Sequence, residues 1–205
     1  GMSVDNQFLL PNFLAAIERL NLAQDERKKL MESVHYFLVG KRNRQSVPNL
    51  LTLQTFSERA ATFELGVEET LDTLAQQINQ RVTEAGITFD AIITTTTTGN
   101  LMPGISYRLA AKLPQLVRTD SLLFDLGNVG CTGSLKALKL ATQLQSNHKH
   151  ILVVAVELPS TLIDLTATSL DIWQGNCTFG DGAVALWLSP DLTLGEMALR
   201  VMDIR

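Results

Sequence analysis

Short apolar runs alternate with helical stretches through most of this chain, and this alternation limits the possible folds more than any other feature. The runs typical of strands cover residues 90–96, 121–125, 151–156, 183–188 and 197–202. The stretches with helical spacing cover residues 67–85, 104–113 and 132–147. Because the run at 151–156 contains no polar residue, both faces of that strand should be covered. The alternation predicts an α/β layered fold with a mostly parallel interior.

The N-terminal part of the chain has a different pattern. Apolar positions at helical spacing predict a helix over residues 26–39, which Gly40 ends. The polar segment 41–51 contains Pro48 and is expected to be a loop. We therefore expect one domain over residues 1–205, with a helical lead-in at 1–50 and a core at 51–205. A chain of 205 residues can build such a core without a disulfide or a metal.

Composition and simple motifs exclude several classes of function. The formal net charge is −4 and no basic stripe is present, which disfavours binding to nucleic acid. No apolar run is long enough to span a bilayer, and two cysteines are too few for a disulfide framework, so a cytoplasmic location is expected. The sequence has no phosphate-binding glycine motif and no metal-ligand spacing, so we expect neither a metal nor a cofactor.

The most informative segment surrounds Cys131. An apolar strand leads into Gly-Cys-Thr-Gly at residues 130–133, and a helical stretch follows. A cysteine at a helix N-terminus is favoured as the reactive thiolate, and the free N–H groups there can stabilise an oxyanion. These properties suit a nucleophilic cysteine. The alternative is that Cys131 is only a small buried residue, as free cysteines commonly are.

Other segments are ambiguous when each is taken alone. Met-Pro-Gly at 102–104 could be a loop before a helix, and Phe-Gly-Asp-Gly-Ala at 179–183 a turn before a strand. The five threonines at 94–98 could be a plain strand end. Met102 and Phe179 could equally be packed in a core.

Taken in order, these segments resemble the thiolase-fold condensing enzymes, above all the chalcone and stilbene synthase-like type III polyketide synthases and then the ketoacyl-ACP synthase III group. The resemblance rests on residues 92–98, 102–104, 130–133, 153–157 and 179–183. It implies a thiolase-like layered fold, with a mixed sheet and helices on both faces, corresponding to the N-terminal half of such enzymes. Ser134 and the pair at 128–129 depart from the chalcone-type pattern.

The resemblance also implies roles for particular residues. Cys131 would be the nucleophile that takes an acyl group from a CoA or acyl-carrier-protein thioester, and a malonyl-type thioester would extend it. The cavity-lining positions would be Thr97, Thr98 and Glu157. Phe179 would guard the entrance to the cavity, and Met102 would reach into the partner of a homodimer.

The same resemblance raises a question about activity. In such enzymes a second half supplies a histidine and an asparagine for decarboxylative condensation. The histidines of this chain are His35, expected to be structural, and His148 and His150, expected to be exposed at the end of the helix after Cys131. We therefore expect an acyltransferase of the 3-oxoacyl or polyketide synthase type. The alternative is a stand-alone half that acts as an acyl-binding or interaction partner.

Overall fold

A computed structural model describes residues 1–40, 42–52, 55–82 and 86–190. The strands are β1 (Met2–Asp5), β2 (Asn43–Ser46), β3 (Phe89–Thr95), β4 (Val117–Leu126), β5 (Ile151–Glu157) and β6 (Gly182–Leu188). The helices are α1 (Asn6–Glu18), α2 (Gln24–Phe37), α3 (Phe56–Val82), α4 (Ile105–Lys112), α5 (Gly133–Leu144) and α6 (Leu170–Thr178). The described part of the chain forms two compact units, one within residues 1–66 and 158–182 and one within residues 67–157 and 183–190. The expectation of a single domain stays a prediction.

The first unit is built around a helical core. Its α1, α2 and α6 bury apolar side chains against one another, and the central contact is between Phe13 and Trp173. Their rings meet edge to face with centroids 5.5 Å apart, and the Trp173 indole N–H donates to the Ala167 carbonyl at 2.9 Å. The strands β1 and β2 pair antiparallel at the edge of this unit.

The second unit contains a four-stranded sheet in the order β4-β3-β5-β6. The central strand β3 pairs parallel with both β4 and β5. Because side chains alternate along a strand, Ala91 and Ile93 face α5 and pack on Ala137 and Ala141, while Thr94 points to the opposite face. On that opposite face Asp125 of β4 bonds to the start of α4. The predicted α/β class, with helices on both faces of the sheet, is confirmed.

The predicted strands of this unit agree with the structure to within a few residues. The run 151–156 is buried except for the half-buried Ala155, as a strand covered on both faces requires. The strand expected at 197–202 lies outside the described residues. Within the described ranges, no helix has the length and apolar character needed to cross a bilayer.

One prediction, the loop at 41–51, was wrong, and one helix, predicted over 67–85, was confirmed but begins earlier than expected. The segment 41–51 is not all loop, because β2 forms within it by pairing with β1. This long-range pairing could not be predicted from the polar sequence of β2. The helix expected from residue 67 begins at Phe56. Its first turn carries a cap in which the Thr55 hydroxyl accepts from the Glu58 N–H while Glu58 accepts from the Thr55 N–H.

Candidate active site

The candidate site lies at the carboxyl edge of the parallel strands. The 96–98 segment follows β3 directly, Cys131 lies five residues beyond β4, and Glu157 is the last residue of β5. Because these three strands are parallel neighbours, their carboxyl ends meet at one edge of the sheet. Open α/β sheets bind their ligands in the crevice beyond this edge.

Cys131 is exposed, so the alternative that it is a small buried residue was wrong. It lies in a single 3₁₀ turn, Gly130–Thr132, that leads directly into α5. Gly130 has a φ of 58°, a conformation that favours glycine. The turn is closed by the Gly133 N–H donating to the Gly130 carbonyl and by the Thr132 hydroxyl donating to the Val129 carbonyl at 2.7 Å. The thiol thus lies in the turn immediately before the first residue of α5.

Glu157 accepts hydrogen bonds from threonines that follow β3. Its carboxylate accepts from the Thr97 N–H at 3.0 Å, from the Thr97 hydroxyl at 3.2 Å and from the Thr98 hydroxyl at 2.9 Å. In each of these bonds the carboxylate is the acceptor. The structure therefore brings together three residues that the sequence predicted as cavity-lining, and the threonine run is more than a strand end.

The remaining predicted residues are also exposed. The side chain of Met102 is 93% exposed and that of Phe179 is 58% exposed, so the alternative that they pack in a core was wrong for both. Met102 belongs to the unit that carries Cys131, whereas Phe179 belongs to the other unit. The Phe179 carbonyl accepts from the Arg44 guanidinium at 3.2 Å.

Asp181, the acidic residue of the Phe-Gly-Asp-Gly-Ala segment, is held by hydrogen bonds from Ser160. Its carboxylate accepts from the Ser160 N–H at 2.9 Å and from the Ser160 hydroxyl at 2.6 Å, and the same hydroxyl accepts from the Val47 N–H. Burial raises the pKa of Asp181 above its usual range, against the lowering effect of the Ser160 bonds. This arrangement has a structural role in the first unit.

Asp125 was missed by the sequence reasoning. Its carboxylate accepts from the Thr94 hydroxyl, the Ser106 N–H and the Ser106 hydroxyl, and so joins β3, β4 and α4. A Cβ on Gly104 would collide with the same carboxylate, which accounts for the glycine of the Met-Pro-Gly segment. An acidic residue at the end of an apolar strand is a sequence signal for a buried or bonded carboxylate. Its partners, Thr94 and Ser106, could not be identified because they are distant in sequence.

A cleft of about 150 Å³ opens beside this edge of the sheet. It is lined by the ends of β3 and β4 and by the 99–105 segment. Because Cys131 is not among the lining residues, this cleft gives no acyl pocket for that thiol.

Two expectations about histidines need correction. His150 is not an exposed charge at a helix end, because it is half-buried immediately before β5. Its backbone N–H donates to the Asp90 carboxylate at 2.9 Å, and the centroid of its ring lies 5.7 Å from that of Trp187. His148 is also half-buried, and His35 is exposed on α2 rather than packed. No group of three or more histidine, cysteine or acidic side chains in the described ranges could hold a metal ion.

The second cysteine, Cys177, differs from Cys131 in its exposure. Cys177 is fully buried in the core of the first unit. Burial raises the pKa of its thiol to about 12. Because the thiolate is the nucleophilic form, Cys177 should be inert at neutral pH.

Comparison with known proteins decides what kind of fold this is. A family model described as 3-oxoacyl-[acyl-carrier-protein (ACP)] synthase III matches residues 124–204, the part that contains Cys131. Among solved structures, the chain is similar to 1,3,6,8-tetrahydroxynaphthalene synthase from Streptomyces coelicolor A3(2), which is a bacterial type III polyketide synthase. The TM-score is 0.74 and the sequence identity is 18%. The match covers 92% of this chain and 53% of that one. The chain has the fold of a thiolase-like condensing enzyme.

Two further structures share this condensing-enzyme fold. The C-terminal type III polyketide synthase domain of Steely1 from Dictyostelium has a TM-score of 0.70 and 20% identity, covering 93% of this chain and 53% of that one. CsyB complexed with CoA-SH has a TM-score of 0.69 and 22% identity, covering 91% and 53%. This chain therefore spans about half the length of the structures that it matches, and it corresponds to the N-terminal portion of the fold.

Proposed function

We propose that Cys131 accepts an acyl group from a thioester of CoA or of an acyl carrier protein. The thiolate attacks the thioester carbonyl, the bond from that carbon to the departing sulfur breaks, and the departing thiol takes up the proton released by Cys131. A new thioester on the enzyme replaces the old one, so the step is balanced without a metal or a cofactor.

The placement of Cys131 carries this proposal. It is an exposed thiol in a turn that enters a helix, at the carboxyl edge of a parallel sheet. N–H groups at the start of a helix such as α5 can stabilise the oxyanion that forms on the attacked carbonyl. Two comparisons support CoA and an acyl carrier protein as the carriers of the acyl group. The description of the matching family names an acyl carrier protein, and CsyB is complexed with CoA-SH.

The test is the mass of the intact protein after incubation with acetyl-CoA and, in a second arm, with hexanoyl-CoA. The wild type should gain the mass of one acyl group, and Cys131→Ala should gain none. Cys177→Ala is the matched control and should be acylated like the wild type, because Cys177 is buried. A wild type without any gain, or an equal gain by Cys131→Ala, would contradict the proposal.

Other predicted residues receive roles under the same proposal. We assign Thr97, Thr98 and Glu157 to the lining of an acyl-binding cavity, a role supported by their common hydrogen-bond network at the carboxyl edge. Met102 reaches into the second subunit of a homodimer, a role supported by the 93% exposure of its apolar side chain.

The complete reaction would be a decarboxylative condensation with a malonyl-type thioester, as expected for 3-oxoacyl or polyketide synthases. We propose a cytoplasmic location, which is consistent with two free cysteines. A second candidate function is an acyl-binding or interaction partner without condensation. It is favoured by the exposed apolar side chains of Met102, Tyr107 and Leu135 in the unit that carries Cys131.

A further inference from the structure

Thr95 touches both ends of the turn that carries Cys131. It is the last residue of β3, and its side chain lies on the face of the sheet covered by α5. The Thr95 hydroxyl donates to the carbonyl of Leu126, the last residue of β4, at 3.1 Å. The residue itself is only 2% exposed.

The other end of the turn is Gly133, the first residue of α5. A Cβ at this position would lie inside the van der Waals distance of the Thr95 hydroxyl and 3.3 Å from a methyl group of Val129. The first residue of α5 therefore packs directly against Thr95, and only glycine at position 133 permits this close approach. One buried side chain thus contacts the residue before the 127–132 segment and the residue after it.

We propose that Thr95 is a positioning residue for the nucleophile, which sets where the Cys131 turn lies relative to the sheet. This inference rests on the function proposed above. Thr95 acts through the backbone at Leu126 and Gly133, without touching the substrate. A displacement of about 1 Å at a reacting group can slow a reaction by about a hundred-fold, so a loosened turn should be visible in the rate of acylation.

The neighbouring threonine provides a matched control. Thr94 is also buried, at 1% exposure, and its hydroxyl also donates to β4, but on the opposite face of the sheet, to Asp125. Valine has nearly the shape of threonine and lacks only the hydroxyl. Thr94→Val and Thr95→Val therefore each remove one partly buried hydrogen bond from the same strand, and only the second substitution touches the Cys131 turn.

The first experiment measures acylation of the full chain by acetyl-CoA at increasing concentrations. Thr95→Val should lower the maximal rate at least about ten-fold and leave the half-saturating concentration unchanged, because binding is retained and only the geometry of attack is lost. Thr95→Ser keeps the hydroxyl and should restore most of the rate. Thr94→Val should stay within about two-fold of the wild type.

The second experiment measures hydrogen exchange and does not depend on acylation. Peptides covering residues 127–133 should exchange at least about ten-fold faster in Thr95→Val than in the wild type, and at an unchanged rate in Thr94→Val. Equal effects of the two valine variants, on acylation or on exchange, would overturn the inference. If the wild type is not acylated at all, the proposed function fails, and the exchange measurement alone then decides the role of Thr95.

Discussion

Gly133 shows how closely the Cys131 turn is packed. Replacement with alanine would drive the new methyl group against Thr95 and Val129. We expect Gly133→Ala to lower the free energy of unfolding by about 1–3 kcal/mol, the usual result of overpacking, as measured by urea denaturation.

Gly127 provides the control within the same segment. The nearest atom to a Cβ at that position would be Asn100 Oδ1 at 3.9 Å, an ordinary contact. Gly127→Ala should therefore change the free energy of unfolding by no more than about 0.5 kcal/mol. Equal losses in the two variants would show that the close approach of Gly133 to Thr95 is unimportant.

Glu68 provides a pH-dependent prediction. Hydrogen bonds from Lys112 and then from Arg108 hold the pKa of its carboxyl below the usual range. A depressed folded-state pKa stabilises the protein above the unfolded-state value and loses that effect as the pH falls through the folded-state value. Glu68→Gln should therefore be less stable than the wild type at neutral pH, with a difference that shrinks below about pH 4.

The measurement is urea unfolding of both proteins across that pH range. The control is Glu32→Gln, which alters an exposed pair with Lys28 on a single helix and should have little effect at either pH. A difference between Glu68→Gln and the wild type that stays constant with pH would contradict this account.

Among the helices, α4 depends on one carboxylate of a strand. Its buried Ser106 N–H and hydroxyl both donate to Asp125. Asp125→Ala leaves these donors without their acceptor, so we expect a loss of about 1–3 kcal/mol and faster hydrogen exchange at the start of α4.

The control for this prediction lies on the same strand. Asp120 is 74% exposed and pairs with Arg118 at the surface, so Asp120→Ala should leave the exchange of α4 unchanged. If Asp125→Ala also leaves it unchanged, the carboxylate does not anchor the helix.

The same elements show how far sequence reasoning reaches. The strand at 151–156 and the helix α3 could be predicted because burial leaves a local pattern on each. The pattern is a continuous apolar run in the strand and an apolar stripe at helical spacing in α3. By contrast, β2 has the sequence Asn-Arg-Gln-Ser and becomes a strand only by pairing with β1. The position of Cys131 before a helix was predicted, while the contacts of Asp125 and Thr95 were not, because their partners are set by the packing of distant segments.

At the scale of the whole molecule, the exposed apolar surface leads to a prediction of self-association. Met102 is 93% exposed and Leu135 60% exposed in the unit that carries Cys131. A large apolar side chain that is almost fully exposed, such as that of Met102, is a candidate for burial in an interface. We expect sedimentation velocity to show a dimer that Met102→Asp weakens at least about ten-fold in its dissociation constant.

The control for self-association is a second exposed apolar residue in the other unit. Phe56 is 86% exposed, and Phe56→Asp should leave the dissociation constant of the dimer unchanged. A monomeric wild type, or equal weakening by both substitutions, would contradict the proposed role of Met102.

If Cys131 is the acyl acceptor, the acyl group can be located on this residue after incubation with acetyl-CoA. Trypsin should release Cys131 in the peptide 119–136 and Cys177 in the peptide 150–200, so mass spectrometry separates the two thiols. Our account predicts acetylation of the peptide 119–136 at Cys131, with the peptide 150–200 unmodified. An unmodified peptide 119–136, or an acetyl group found only on the peptide 150–200, would contradict it.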